Sequence, residues 1–209
     1  MSEQINNDFP INGLLSTNDA DHLIFATVDA AVSAAAKAQL VFHEQGLELR
    51  RAVIKAIRKT SIANAERWGR MAVEETKMGR AEDKTQKNIL CAKRTPGVED
   101  LHSKAYTGDK GLTLVEYAPF GVVAAITPSN NPAATIISNT ICILAAGNSV
   151  VFAPHPAAAK VCQDVMRALS LAAISAGAPA SLITTLAPIS PEATKSLLSH
   201  HDKRDLVAS

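Results

Sequence analysis

The sequence predicts an α/β protein in which a parallel sheet follows a helical segment. Apolar residues recur at helical spacing through the first hundred residues, whereas short apolar runs alternate with helical stretches from Val122 onward. Strands that alternate with helices form parallel, doubly wound sheets. No run of about 18 apolar residues occurs, so a membrane-spanning helix is not expected.

The N-terminal part of the chain is expected to change character at residue 22. Residues 1–22 are rich in Asn, Asp, Ser, Pro and Gly, and we predict a flexible lead-in there. Residues 23–105 are predicted to form a helical part with three helices, each ended by a glycine or a proline. The predicted helices run from Asp29 to about His43, from Leu49 to near Gly79, and from about Arg80 to Ala92.

A change from helical to extended patterning is predicted at residues 106–126, which should form a β-hairpin that leads into the core. Gly111–Tyr117 alternates apolar and polar residues, which is typical of a half-buried strand. Val122–Ile126 is a continuous apolar run, which is typical of a strand buried on both faces.

Residues 121–209 are predicted to form a partial dinucleotide-binding domain. Pro132 at the first helical position and Gly147 just past the end mark one helix. Further strands are predicted at Ser149–Phe152, at Leu182–Leu186 and from Leu206, with helices between them. No G-x-G-x-x-G motif occurs, so a dinucleotide would have to bind in another way.

Composition argues against several classes of partner. The net charge is +1 and basic residues alternate with acidic ones, so neither nucleic acid nor a membrane surface is expected to bind. The N-terminus lacks the pattern of a secretory signal, and we expect a cytoplasmic protein. Cys91, Cys142 and Cys162 are far apart among apolar neighbours, so we interpret them as buried, unreactive thiols.

Two loops that lead from a strand into a helix contain the candidate site residues. The first loop, Thr127-Pro128-Ser129-Asn130-Asn131, directs backbone N–H groups and asparagine amides at whatever lies above the strand. Helix capping by Asn131 before Pro132 is the competing interpretation.

The second loop contains Ala153, Pro154 and His155. His155 either contacts a ligand or is an exposed or capping histidine. His200, His201 and Asp202 lack a third ligand at suitable spacing, so no metal is expected.

Both loops belong to longer motifs, ITPSNNPAATIISN and ILAAGNSVVFAPHPAAAKV, which follow ETKMGRAEDKTQKN, TPGVEDL and TGDKGLTLVEYAPFGVV. Their order and spacing resemble the aldehyde dehydrogenase superfamily, and more narrowly its CoA-acylating branch of ethanolamine and propanediol utilisation. The resemblance covers about Ile24 to the end. It implies an aldehyde dehydrogenase-type, Rossmann-like cofactor-binding domain that is incomplete here.

The resemblance also implies a reaction. In this family a cysteine thiolate attacks the aldehyde, hydride passes to NAD, and coenzyme A (in acylating members) or water (in hydrolytic members) accepts the acyl group. Short-chain aldehydes are the implied substrates. Family members are homo-oligomers in which the Gly111–Tyr117 ribbon contributes to subunit contacts, and residence in a bacterial microcompartment is conceivable.

Roles for single residues follow from the same resemblance. Asn130 matches the oxyanion-binding asparagine of hydrolytic members, and Asn131 matches the asparagine of the acylating P-S-T-N-P pattern, so both stay candidates. The cofactor-binding candidates are Thr127, Pro128, Ser129, Ala153, Pro154 and His155. Ala153 stands where hydrolytic members have a ribose-binding lysine, and the A-P-H-P loop is typical of acylating members.

The resemblance also predicts what the 209 residues lack. The nucleophilic cysteine segment and the catalytic domain are expected to be absent, since none of the three cysteines lies in the nucleophile's motif. A partial sheet would expose apolar surface, so marginal stability is expected. The alternatives are a non-catalytic product that acts as a cofactor-binding or subunit-interaction module, and a fragment of a hydrolytic aldehyde dehydrogenase.

Overall fold

The computed structural model describes residues 22–200 and 206–208. Six α-helices and seven strands occur within these residues. The elements are β1 (Ile24–Phe25), α1 (Val28–Glu44), α2 (Gly46–Thr76), α3 (Ala81–Arg94), β2 (Lys104–Gly108), β3 (Gly111–Val115), β4 (Val122–Thr127), α4 (Pro132–Ala145), β5 (Ser149–Pro154), α5 (Ala159–Ser175), β6 (Ile183–Leu186), α6 (Pro191–Leu198) and β7 (Leu206–Ala208). The predicted lead-in, together with His201 and Asp202, lies outside the described residues.

Five of these strands form one parallel sheet in the order β1-β6-β5-β4-β7. This confirms the predicted parallel α/β architecture with a helical N-terminal segment. Strands β4 and β5 lie next to each other inside the sheet, and their register runs from Val122 opposite Ser149 to Thr127 opposite Pro154. Their carboxyl ends therefore lie side by side.

Helices cover both faces of the sheet and create two apolar cores. Along β4, Val123 and Ala125 join the core under α2, α4 and α5, whereas Val122 and Ala124 join the core under α1 and α6. Successive side chains of a strand point to opposite faces, so a strand buried on both sides must be apolar throughout. The continuous apolar run of β4 is buried as predicted from Val122 to Ala125, and Ile126 is half-buried.

Helix α4 fixes the larger core at the centre of the sheet. Four of its large apolar side chains are fully buried, namely Ile136, Ile137, Ile141 and Leu144. Burial of each such side chain contributes about 1.5–3 kcal/mol relative to exposure. This packing fixes the position of α4, including its N-terminus, which directly follows the β4 loop.

Helices α1 and α2 meet at Gly46, the glycine between the first two predicted helices. Gly46 has φ +77°, a left-handed conformation that suits glycine, and α2 begins at this residue. Helix α2 ends at Thr76 rather than near Gly79, because Lys77 adopts a left-handed conformation and closes the last turn. The part predicted to be helical also holds the two-residue strand β1 and the first residues of β2.

Strands β2 and β3 form a separate two-stranded antiparallel sheet, which we call the ribbon. Every residue of the ribbon is exposed, including Tyr106, Leu112 and Leu114. The strand predicted within Gly111–Tyr117 is present as β3, but its predicted half-burial is wrong, because nothing in the described residues covers either face. The hairpin predicted at 106–126 is formed by β2 and β3 alone, since β4 pairs with β5 and β7 in the parallel sheet. No described helix is long and apolar enough to cross a membrane.

Candidate functional site

The two candidate loops lie side by side at the carboxyl edge of the sheet. The backbone N–H of His155, directly after β5, donates to the carbonyl oxygen of Thr127 at the end of β4, at 2.9 Å. Parallel α/β sheets place ligands at this edge, beyond the carboxyl ends of the strands. The structure thus brings the sequence-predicted residues of both loops together.

The first loop presents its asparagines differently. Asn130 is exposed, and its side-chain amide has no hydrogen-bond partner among the described residues, whereas Asn131 is half-buried. Pro128 is exposed and Ser129 is half-buried. The hydroxyl oxygen of Thr127 is buried and lacks a hydrogen-bond partner within the described chain.

Asn131 is the residue that precedes helix α4, but its side chain does not cap the helix. Its carbonyl oxygen accepts the first helical hydrogen bond, from the N–H of Thr135 at 3.1 Å, and the side chain makes no capping bond. The capping interpretation is therefore wrong for the side chain. The N–H groups of Ala133 and Ala134 belong to the first turn of α4, where backbone N–H groups have no acceptor within the helix. Both residues line a cleft.

That shallow cleft lies between α3 and the N-terminus of α4. Two lysines of α3, one turn apart, reach into it. Lys84 donates to the carbonyl oxygen of Asn130 at 2.6 Å, and Lys87 donates to the side-chain oxygen of Asn131 at 3.3 Å. Burial, and secondarily the charge of Lys87, lower the pKa of Lys84.

Sequence reasoning missed both lysines as site residues. Both occur in ETKMGRAEDKTQKN, a motif that supports the family resemblance. Their i, i+3 spacing places them on one face of a helix, and this was the available signal. The sequence alone gives no indication that this face meets a loop more than 40 residues away.

Helix α5 begins beside the second loop, and a distant carboxylate caps it. Glu75 accepts hydrogen bonds from the N–H groups of Lys160 and Val161, both at 2.8 Å. These charge-assisted bonds satisfy two free donors of the first turn and complement the helix dipole. Negative charge thus already occupies the N-terminus of α5, whereas the N-terminus of α4 faces two ammonium groups.

A second, shallow cleft lies between the ends of β5 and β6 and helix α6. We call it the β5–α6 cleft. Its lining carries no charged side chain and consists of Phe152, Ala153, Pro154, Thr185, Leu186, Ile189, Ser190, Ala193 and Thr194.

The hydroxyl groups of the β5–α6 cleft are engaged within the chain. Thr185 donates to the carbonyl oxygen of Phe152 at 3.0 Å, and Ser190 accepts from the N–H of Ala193 at 3.1 Å. Thr194 donates to the carbonyl oxygen of Ser190 at 3.1 Å. The cleft therefore offers a largely apolar surface.

His155 is exposed and caps a short turn. Its Nδ1 accepts from the N–H of Ala157 at 3.1 Å, which fits the capping interpretation and places the ring proton on Nε2 when the ring is neutral.

Nε2 of His200 lies 2.8 Å from Oδ1 of Asp29. No metal-binding group of three or more His, Cys, Asp or Glu occurs in the described ranges.

The cysteines differ in exposure, which corrects the interpretation of all three as buried. Cys162 is buried and Cys91 is intermediate, but Cys142 is exposed. Burial, and then the nearby carboxylate of Glu75, raise the pKa of Cys162 far above its ordinary value. Burial also raises the pKa of Cys91 and Cys142, so none of the three has an activated thiolate.

Two curated aldehyde dehydrogenases are similar in sequence to most of this chain. The acetylating acetaldehyde dehydrogenase EutE of Salmonella typhimurium is 52% identical over 167 residues, which cover 78% of this chain and 35% of that protein. A CoA-propanoylating propanal dehydrogenase of Salmonella typhimurium is 41% identical over 177 residues, which cover 85% and 38%. The chain therefore spans about a third of the length of these curated relatives.

Solved structures show the same relationship. A Rhodopseudomonas palustris propionaldehyde dehydrogenase with bound CoA and an acylated cysteine matches with a TM-score of 0.86 and 45% identity, covering 90% of this chain and 43% of that one. A propionaldehyde dehydrogenase from a Clostridium phytofermentans fucose-utilisation microcompartment matches with a TM-score of 0.84 and 44% identity, covering 88% and 42%.

The model of the aldehyde dehydrogenase family matches residues 19–208, nearly the whole chain. With the parallel sheet and the two loops at its carboxyl edge, this match confirms the resemblance inferred from the motifs. The chain belongs to the aldehyde dehydrogenase family.

Proposed function

We propose that this chain forms the cofactor-binding region of a CoA-acylating aldehyde dehydrogenase, which oxidises a short-chain aldehyde to an acyl-CoA with NAD. The observation that supports this most strongly is the pair of clefts at the carboxyl edge. One has an uncharged, largely apolar lining, and the other is cationic and includes an oriented asparagine.

The residues of the β5–α6 cleft fit the adenine end of NAD. Ala153, Pro154 and Ile189 provide apolar walls, and no charged side chain lines the cleft. Bound NAD supplies the hydride acceptor. Of the other sequence candidates, Pro128, Ser129 and His155 lie at the adjacent loops, whereas the hydroxyl of Thr127 is too deeply buried for a direct contact.

Asn131 is the better of the two oxyanion candidates. Its side-chain oxygen accepts from an ammonium group, so the Nδ2–H donors are left for a ligand oxygen. A donor fixed in advance at the place where negative charge develops lowers the reaction barrier. Exposed Asn130 has no such restraint, but its carbonyl oxygen holds the loop to Lys84.

Coenzyme A, rather than water, is the proposed acyl acceptor. Ala153 is 6% exposed and offers no ammonium group for a ribose, so the cleft is expected to hold NAD less firmly. The adenine of CoA has the same shape as that of NAD and suits the same walls. Relatives named as CoA-acylating, and the Rhodopseudomonas palustris structure with bound CoA, support this assignment.

Homo-oligomer formation is proposed from the ribbon. A two-stranded sheet with both faces in solvent is marginally stable on its own, so the ribbon is expected to pack on another surface. Leu112 is 67% exposed and Leu114 is 57% exposed, which provides the apolar contact area.

We propose that the protein is located in the cytoplasm. A bacterial microcompartment is the second candidate location, because one structural neighbour comes from such a compartment.

The experiment is a turnover assay of the full gene product with acetaldehyde or propionaldehyde. NADH formation is measured with and without CoA, and the acyl product is identified by mass spectrometry. We expect NADH only in the presence of CoA, with acyl-CoA as the product. NADH and a free acid without CoA would indicate a hydrolytic enzyme, and no turnover would favour a non-catalytic module.

A further inference from the structure

Two lysines hold the asparagine loop from outside the sheet. Lys84, on α3, is 7% exposed, and its ammonium donates to the carbonyl oxygen of Asn130 at 2.6 Å. This short, charge-assisted bond fixes the peptide group between Asn130 and Asn131. It thereby fixes the position of the Asn131 Cα atom, from which the side chain extends. Among the described residues, no strand donates a hydrogen bond to this carbonyl oxygen.

Lys87 determines which end of the Asn131 amide faces the site. An ammonium group has three donors and no acceptor, so the atom 3.3 Å from its Nζ must be the amide oxygen. The Nδ2 group then points away from Lys87, and it donates to no other group in the described residues. Without Lys87, the amide could turn its oxygen toward the N–H groups of α4, as a helix cap ordinarily does.

The helix that carries both lysines is itself firmly placed. Asn88, on the same helix, is 2% exposed and donates to the carbonyl oxygen of Ala65 in α2 at 3.0 Å. Thr85 approaches α2 so closely that a Cβ at Gly69 would lie 2.6 Å from its hydroxyl oxygen. A rigid mounting of this kind is needed if an ammonium group is to orient a side chain on another element.

We propose that Lys84 and Lys87 are positioning residues for Asn131, which keep its Nδ2 donors directed at the reacting carbonyl oxygen. The proposal rests on the proposed function, because it needs Asn131 to act as the oxyanion donor. Neither lysine contacts the substrate in this account. Both act through the asparagine, and this distinguishes them from cations that stabilise the charge directly.

The test is a set of double-mutant cycles in the full gene product. Lys84→Met and Lys87→Met are each made in the parent and in an Asn131→Ala background, with Lys93→Met on the exposed side of the same helix as the control. Removal of an oxyanion donor lowers kcat by about 10²-fold to 10³-fold, so a misdirected donor should lower kcat by about tenfold. We expect this loss with little change in the KM for the aldehyde.

Two further results are expected if the lysines act through Asn131. In the Asn131→Ala background, either lysine variant should change kcat by less than about twofold. Lys87→Arg should restore most of the activity, since it keeps a cationic donor. A tenfold loss that persists in the Asn131→Ala background would overturn the proposal in favour of direct charge stabilisation, and an unchanged kcat in both lysine variants would also overturn it.

A measurement on the 209-residue chain tests the inference separately from the proposed function. The side-chain ¹⁵N–¹H₂ resonances of Asn131 should shift in Lys87→Met and stay in place in Lys93→Met. If the resonances do not move in Lys87→Met, the orientation argument is wrong even where turnover is observed. If they move but the parent protein shows no CoA-dependent turnover, the proposed function fails while the positioning contact stands.

Discussion

Glu75 connects helix α2 to the start of α5, and its removal should destabilise the chain by a predictable amount. Its carboxylate accepts from the N–H groups of Lys160 and Val161, both at 2.8 Å, and α5 has no capping side chain of its own. Loss of a helix cap costs about 0.5–2 kcal/mol, and the interaction with the helix dipole adds about 0.3–1 kcal/mol. Glu75→Ala should therefore lower the free energy of unfolding by about 2 kcal/mol.

Thermal and urea unfolding of the 209-residue chain, followed by circular dichroism, measure this loss. For a chain of this length, each kcal/mol corresponds to about 2–4 °C, so Tm should fall by roughly 4–8 °C. Glu75→Gln keeps one acceptor oxygen but not the charge, and should fall between the parent and Glu75→Ala. Exposed Glu74 is the matched control, and Glu74→Ala should change stability by less than about 0.5 kcal/mol. Equal stabilities of Glu75→Ala and Glu74→Ala would refute the reasoning.

Four further predictions follow from single features of the structure. Thr127→Val should leave stability unchanged or raise it by up to about 1 kcal/mol in urea unfolding, because the hydroxyl is buried without a partner. Cys142 should react with a thiol reagent in the folded chain, whereas Cys162 should react only on unfolding, since burial raises its pKa and so suppresses the thiolate. Leu114→Lys should weaken self-association measured by sedimentation without lowering Tm, because the side chain is 57% exposed. Ala153→Lys should tighten NAD binding about threefold by calorimetry, because a charge-assisted bond to the ribose exceeds the loss of lysine rotamer entropy; unchanged affinity would count against placing the ribose there.

The sheet could be predicted from sequence because its strands carry the strongest patterns. Val122–Ile126 has no polar residue, and only a strand buried on both faces needs that composition. Pro132 and Gly147 marked the limits of α4 closely because each acts locally, by preset φ and by a left-handed conformation. Elements whose limits depend on local composition and backbone conformation could therefore be predicted from the sequence.

The ribbon and the first strand were less predictable. Lys104–Gly108 shows no alternation of apolar and polar residues, only its last residues fell within the predicted hairpin, and it is extended because it pairs with β3. Ile24–Phe25 is a strand only because it lies beside β6, about 160 residues later in the chain. Pairings of this kind depend on tertiary structure, which local propensity does not encode.

The candidate site was likewise predicted where it depends on local sequence and missed where it depends on tertiary contacts. The two loops were found because glycine, proline and asparagine at strand ends are visible in the sequence. Lys84 and Glu75 were not, because each acts on a residue 46 or 85 positions away. The competing roles of Asn131 could be separated only when the structure showed Lys87 holding its side-chain oxygen.

The central claim is that one cleft, between β5, β6 and α6, accepts the adenine that NAD and CoA share. The most direct measurement is a titration of the ¹⁵N-labelled 209-residue chain with each compound, with nicotinamide mononucleotide as the control that lacks adenine. The account predicts that NAD and CoA shift the same backbone amides, centred on Ala153, Ile189 and Ala193, and that the control does not. Shifts in separate places for the two compounds, or no shifts at these amides with either one, would contradict it.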